Sequence, residues 1–202
     1  MHKKTFVLAF AVGLLAAGLA VAEPVGYKVD ADHSSIGFSI RHFVSDVDGR
    51  FKDFDGMVRY DKQNPAASSV QLNVRAASIN TDNNDRDNHL RSPDFFDVQK
   101  FPAWTFTSTS VAVKDANTLN VTGDLTIHGV TKRVTLPVSV LGSVKVPKGE
   151  KAGFKTSFTV DRKDYGVVWN RALEGGGAML GDEVTISIKI EANREAAAAT
   201  AK

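Results

Sequence analysis

The chain contains no cysteine. Disulfides, zinc–thiolate sites, thiolate nucleophiles and thioether haem attachment are therefore excluded, so stability must come from burial and backbone pairing. The sequence also lacks the G-x-S-x-G nucleophile elbow, the Walker P-loop, G-x-G-x-x-G and H-E-x-x-H. No catalytic residue can be assigned from a motif.

Acidic and basic residues balance once the N-terminal segment is left out. Residues 1–4 are basic, 6–19 are almost wholly apolar, and 20–22 read A-V-A, a small-residue cleavage site. We therefore expect residues 1–22 to be a cleaved secretory signal peptide. Of the 25 basic residues two are lysines of this leader, which leaves 23 against 23 acidic residues. This balance offers no argument for nucleic-acid binding.

Alternation of apolar and polar residues dominates the rest of the chain and is typical of half-buried strands. Short connections and the lack of a long central helix favour an all-β fold, an antiparallel up-and-down meander closed into a barrel, because closure removes exposed edges. A two-sheet sandwich is the alternative. The predicted strands lie near 27–30, 35–43, 47–60, 68–77, 103–114, 118–128, 130–142, 152–162 and 182–192.

The first break in the alternation predicts a short helical insertion near 82–97. Thr81 or Asp82 is a candidate N-cap for a helix that runs to about Arg91. Ser92-Pro93 then has the composition of a second helix start, with serine as the N-cap and proline at the first helical position.

The second break is 167–181, which contains three successive glycines. Glycine lowers the rigidity of a strand, so we expect a mobile loop that covers one barrel end. The barrel domain is expected to span 23–192. The alanine-rich tail, 193–202, has nothing to pack and is expected to be disordered.

The stretch NNDRDNHLRSPDFF, residues 83–96, raises the question of a catalytic site. Asp87 and His89 are two residues apart and face different sides of a helix, whereas Asp85 and His89 have the spacing of an ordinary surface pair. No nucleophile motif accompanies them. We interpret the stretch as a structural clasp at one barrel end, with its two adjacent phenylalanines lining or plugging the interior.

The histidines outside the leader show no spacing typical of a metal site. His33, His42, His89 and His128 are scattered, and each is interpreted as bonding a turn or a strand end. We therefore expect neither a metal nor a cofactor.

Phenylalanine is abundant, with 12 residues against two tryptophans. A small closed barrel either fills its interior with such side chains or holds one apolar ligand. Composition leaves both readings open.

Several segments, taken in order, carry a resemblance to a known family: DHS before IGFSIRH, GRFKDFDG, SINTDNNDRDNHLRSPDFFDVQKFP, GDLTIHGVTK, DRKDYG and NRALEGGGAMLGDEVTI. With these the chain resembles the YceI family of exported, lipocalin-like isoprenoid-binding proteins over almost all of its length after the leader. The resemblance implies an eight-stranded antiparallel barrel in the periplasm. It also implies a long-chain polyisoprenoid ligand, with an isoprenoid quinone and a prenyl phosphate as the candidates.

The family is not known for catalysis, and some relatives occur beside or fused to membrane b-type cytochromes, which makes such a cytochrome a candidate partner. A homodimer is compatible with the sequence. The leading interpretation is a carrier or store for one lipid. The alternatives are a structural or stress-response barrel with a filled core and, last, an enzyme acting on a lipid, which would need a perturbed acid or base in the lumen.

The lipid tail is expected to lie along inward strand positions, and Arg86 or Arg91 is expected to meet a polar head group. The predicted lining residues are Phe38, Ile40, Phe51, Leu72, Val74, Phe106, Leu125, Ile127, Phe158, Ile186 and Ile188.

Overall fold

The computed structural model describes residues 23–172 and 176–196, so the predicted signal peptide lies outside the described residues. One α-helix, α1 (Asn84–Arg91), and several short 3₁₀ turns accompany the strands in these ranges. No helix there is long and apolar enough to cross a membrane. The strands are β1 (Val25–Val29), β2 (Ser35–His42), β3 (Ser45–Phe51), β4 (Phe54–Tyr60), β5 (Ser69–Arg75), β6 (Ile79–Asn80), β7 (Ala103–Asp115), β8 (Thr118–Ile127), β9 (Val130–Val146), β10 (Gly149–Asp161) and β11 (Leu180–Arg194).

The strands form a closed antiparallel barrel of eight strands, as predicted. Strands β1 and β2 follow each other across a 3₁₀ turn at Ala31–His33, and together they run antiparallel to β4 and β3. From β5 through β7 to β11, each strand pairs with the next, apart from the short β6, which pairs with β3. Strand β11 pairs back with both β2 and β1 and closes the barrel.

The single strand predicted over 47–60 is wrong, because two strands, β3 and β4, occupy the range 45–60 with a break between them. Phe51 and Phe54 are both 6% exposed. Two residues three apart cannot face the same side of an unbroken strand. The interruption at Lys52 and Asp53 resets the alternation and lets both rings enter the core.

The interior is formed by the inward side of each strand. On β8 burial alternates at every position, and Val121 and Leu125 are 2% and 1% exposed. A second buried cluster lies around Tyr27, Phe154 and Ala192, where β1, β10 and β11 meet. The core therefore extends along the whole barrel.

The helical insertion is shorter than the predicted 82–97. Asp82 has φ of +57°, so α1 begins after it, with Asn83 as the N-cap accepting a hydrogen bond from the Arg86 backbone N–H at 2.9 Å. Ser92 ends this helix, and its hydroxyl donates to the His89 carbonyl at 2.7 Å. The side chain expected to start a second helix is therefore used to end the first, and the chain continues in turns.

The C-terminal boundary also shifts. Strand β11 continues to Arg194, which pairs with Tyr27 of β1, and the Glu195 N–H donates to the Gly26 carbonyl at 2.8 Å. The predicted disordered tail, 193–202, is therefore wrong in its first residues. Residues 197–202 lie outside the described ranges.

Candidate functional site

A cavity of about 440 Å³ occupies one end of the barrel, and we call it the wide chamber. Its wall combines inward residues of β2, β3, β7, β8, β10 and β11 with residues of α1 and the following turn. Among the predicted lining residues, those placed in this wall are Phe38, Ile40, Phe51, Ile127 and Ile186.

A second cavity of about 70 Å³ lies further along the barrel, and we call it the deep chamber. Val74, also predicted as a lining residue, is in the wall of neither chamber and packs within the hydrophobic core cluster instead. The remaining predicted residues, Leu72, Phe106, Leu125, Phe158 and Ile188, line the deep chamber.

Aromatic side chains cover the wide chamber at what we call the mouth end. The His89 ring stands perpendicular to the rings of Phe95 and Trp169, with centroids 5.0 and 4.9 Å away. Phe95 and Trp169 are themselves 5.1 Å apart, and Phe96 also lines the chamber. The 83–96 stretch therefore lies across one barrel end, where the clasp interpretation put it, and it meets the segment that begins at Val167.

Polar contacts fix α1 to the strand beneath it. Asp87, 2% exposed, accepts hydrogen bonds from the backbone N–H of Thr81 at 2.8 Å and from its hydroxyl at 2.6 Å. Arg86 donates through Nε to the same hydroxyl and through Nη2 to the Thr81 carbonyl, both at 2.8 Å. Arg86 also lines the wide chamber and is exposed, so it remains a candidate for a head-group contact.

The expectation for Arg91 is wrong in position. Its Nε and Nη2 donate to the carbonyls of Ala77 and Ile79, each at 2.8 Å, and Nη1 donates to Asn88. Arg91 does not lie in the chamber wall. Its guanidinium fastens the helix to the chain before it.

Arg162, which sequence reasoning missed, holds the second covering segment. It is 5% exposed and lines the wide chamber. Nε donates to the Gly181 carbonyl at 2.9 Å, and Nη1 donates to the carbonyls of Val167 and Trp169 at 2.8 Å. Nη2 lies 3.2 Å from a carboxylate oxygen of Asp182. The arginine in DRKDYG was a visible signal, but alternation does not distinguish a buried arginine from an exposed one.

The geometry around His89 differs from the helical pair that its sequence suggests. Its Nε2 lies 2.9 Å from Oδ2 of Asp94, beyond the helix, instead of meeting Asp85. The aromatic neighbours of the ring are Phe95 and Trp169. This arrangement is that of a packed, hydrogen-bonded histidine in the cover.

At the opposite end of the barrel, possible ligand atoms of Asp30, His33 and Glu191 come within 4.8 Å of one another. The Lys151 ammonium lies 2.9 Å from Asp30 and 2.6 Å from Glu191. Its hydrogen bond is the main reason why the pKa of Asp30 falls well below the usual range, while Glu191 chiefly raises the pKa of Lys151. The ammonium balances the carboxylates, and the cluster ties together the ends of β1, β10 and β11.

The same end carries a buried tyrosine. The Tyr27 hydroxyl donates to Glu150 at 3.0 Å, and Arg194 lies 2.9 Å from the other oxygen of that carboxylate. Burial, followed by the hydrogen bond to Glu150, raises the pKa of Tyr27 to about 12.

Together these features define a lipocalin-like barrel of eight strands with an apolar interior and one covered end. The YceI-like domain family matches residues 27–192, and the chain belongs to this family, as predicted. Protein YceI of Escherichia coli O6:H1 is 43% identical over 171 residues, covering 83% of this chain and 88% of that protein.

Solved structures share the fold. BcnA of Burkholderia cenocepacia has a TM-score of 0.71 and 28% identity, covering 82% of this chain and 99% of that one. A polyisoprenoid binding domain from Saccharophagus degradans, implicated in plant cell wall breakdown, has a TM-score of 0.64 over 85% of this chain and 99% of its own. At 16% identity, this second likeness shows the fold alone.

Proposed function

We propose that the barrel binds one polyisoprenoid lipid in the wide chamber and stores or carries it in the periplasm. The observation that carries this proposal is the apolar cavity of about 440 Å³. A barrel with a filled core, the structural alternative, has no need of such a space. The resemblance to the YceI family, which implies a polyisoprenoid ligand, supports the choice of ligand class.

The volume of the wide chamber sets how much of the expected long isoprenoid tail it can hold. An apolar cavity of ~150 Å³ holds one benzene, or about 25 Å³ per carbon, so the wide chamber has room for about 18 carbons. This corresponds to between three and four isoprene units of five carbons. Burial of ~0.8 kcal/mol per CH₂ yields up to ~4 kcal/mol per unit. Non-covalent affinity saturates near ~18 kcal/mol, so additional units beyond four or five contribute little.

The head group is proposed to lie at the mouth end, beside α1. Asp85, Arg86 and His89 of α1 bring polar atoms to this part of a mostly apolar wall. A prenyl phosphate would accept charge-assisted hydrogen bonds from Arg86, whereas a quinone carbonyl or a prenol hydroxyl would gain less from the arginine. The size of an Arg86 effect therefore distinguishes these head groups.

The binding experiment uses delipidated protein and three ligands with four isoprene units: geranylgeraniol, geranylgeranyl phosphate and a four-unit ubiquinone. Both tryptophans of the chain, Trp104 and Trp169, line the wide chamber, so intrinsic fluorescence should report occupancy. We expect saturable one-to-one binding of at least one ligand. Failure to bind all three would contradict the proposal. Arg86→Ala should weaken the phosphate selectively.

A lipid-modifying enzyme is the competing function, and His89 with Asp94 is the pair on which it would rest. In the proposed function His89 is structural, so His89→Ala should lower stability by about 1 kcal/mol, the usual contribution of one hydrogen bond. Lipid recovered from the wild type and from the variant should be chemically identical. A turnover defect in a folded His89→Ala protein would support the enzyme instead.

Periplasmic location and a membrane b-type cytochrome as partner stay predictions. Cell fractionation with a tagged chain tests the location, and co-purification from mildly solubilised membranes tests the partner. A chain that stays in the cytoplasm would remove the periplasmic part of the proposal and leave the binding part intact.

A further inference from the structure

The two chambers share one wall residue. Among the described residues, Trp104 alone lines both the wide and the deep chamber. It is 3% exposed. Trp104 therefore lies where the two apolar spaces approach each other, and we call it the partition.

Neighbouring side chains hold this partition in place. The indole stands at 72° to the Phe51 ring, with centroids 5.7 Å apart, and Phe51 in turn stands at 85° to Phe96 of the cover. On the adjacent strand, Trp104 is paired with Val74, which is fully buried. Edge-to-face aromatic contacts and close packing oppose free rotation of the ring.

The volumes show what the partition controls. By the same ~25 Å³ per carbon, the deep chamber of about 70 Å³ has room for about three carbons, fewer than one isoprene unit. Alone it is too small for any part of the repeating tail. Joined to the wide chamber and to the volume of the indole itself, it would extend the available length by roughly two isoprene units.

We propose that Trp104 determines how far an isoprenoid tail enters the barrel. With the indole in place, a tail of up to about four units fits, and a longer tail leaves its end outside or must displace the ring. This inference rests on the proposed function, because it concerns the same site and names the residue that selects tail length.

The test measures length preference instead of affinity alone. Delipidated protein is equilibrated with an equimolar mixture of prenols of three to nine isoprene units, and the bound prenols are extracted and quantified. Trp104→Leu and Trp104→Phe are compared with the wild type, the second as a milder change in case the first does not fold. For each prenol of six or more units, the bound ratio to the four-unit prenol should rise about tenfold in Trp104→Leu and by less in Trp104→Phe.

Leu136→Ala provides the matched control. Leu136 lies on β9, is 6% exposed and lines only the deep chamber. Its truncation enlarges that chamber but leaves Trp104 in place, so length preference should not change. The inference would be overturned if binding changed equally for prenols of all lengths in every variant, or if Leu136→Ala favoured longer prenols as much as Trp104→Leu. A wild type that binds no prenol in the mixture and none of the three four-unit ligands would instead count against the proposed function.

Discussion

The two ends of the barrel are held together in different ways. At the mouth end, Arg162 binds backbone carbonyls of a covering segment whose Trp169 packs against α1 and leaves a chamber beneath. At the opposite end, Lys151 links Asp30 and Glu191 directly across strand ends. The strand ends are thus joined directly at the opposite end, whereas at the mouth end a separate segment lies over a chamber.

The largest predicted effect follows from placing a charge in the wall of each chamber, which should affect folding in one chamber and lipid binding in the other. Leu125→Glu should prevent folding, because Leu125 is 1% exposed and an unpaired buried carboxylate costs several kcal/mol, a large part of the ~5–15 kcal/mol that stabilises a domain. Ile186→Glu should fold, since the wide chamber can admit water around the carboxylate, but it should lose lipid occupancy. Circular dichroism melts and lipid extraction measure both. Full occupancy in a folded Ile186→Glu protein would show that this residue does not face the ligand.

The next largest effect is expected from Arg162, which holds the segment that covers the mouth end. Arg162→Met keeps much of the aliphatic stem but leaves buried carbonyls without their donor, so the free energy of unfolding should fall by about 2–4 kcal/mol and lipid release should be faster. Arg133→Met is the control, because Arg133 pairs with Asp124 on the exposed surface, where such a pair contributes at most about 1 kcal/mol. Urea unfolding measures both. Equal losses would mean that Arg162 does not hold the mouth end.

A pH-dependent effect should report on the opposite end. The pKa of Tyr27 is raised in the folded state, so the unfolded chain gives up this proton first, and stability should fall as the pH rises from about 10 to about 12. Tyr27→Phe should flatten this decline. Tyr165→Phe, at the mouth end, should flatten it less, although burial also raises the pKa of Tyr165. Urea unfolding midpoints measured between pH 9 and 12 test this prediction. It would be refuted if stability fell with pH as steeply in Tyr27→Phe as in the wild type.

The smallest effect concerns the deep chamber. Thr156 lines it, and among the described residues its buried hydroxyl has no hydrogen-bond partner. Thr156→Val keeps the shape and removes the unsatisfied group, so stability should stay constant or rise by up to about 1 kcal/mol. Thr122→Val, which breaks a 2.8 Å contact with Thr135, should instead lower it slightly. A clear loss in Thr156→Val would indicate a partner for that hydroxyl.

Much of the barrel could be predicted from the sequence, because alternation reports which side of a strand is inward. Of the inward positions that it indicates, Phe38 and Ile186 line the wide chamber, and Phe106 and Leu125 line the deep chamber. It also put the clasp at a barrel end.

The division of the interior could not be predicted. Parity alone shows that Trp104 faces the same way as Phe106, but not that Trp104 lines both chambers. The role of Arg162 was equally hidden, because it depends on where the chain places the backbone carbonyls of Val167 and Gly181, five and 19 residues further on. The first turn of α1 was misplaced because the left-handed conformation of Asp82 is a property of the folded turn and is not encoded in helix propensity.

The most direct test of the central claim is native mass spectrometry of protein purified gently from its own cells without detergent, followed by organic extraction. The account predicts one added mass at near-stoichiometric yield, which extraction identifies as a single isoprenoid lipid. Bare protein that also takes up no added quinone or prenyl lipid would contradict it.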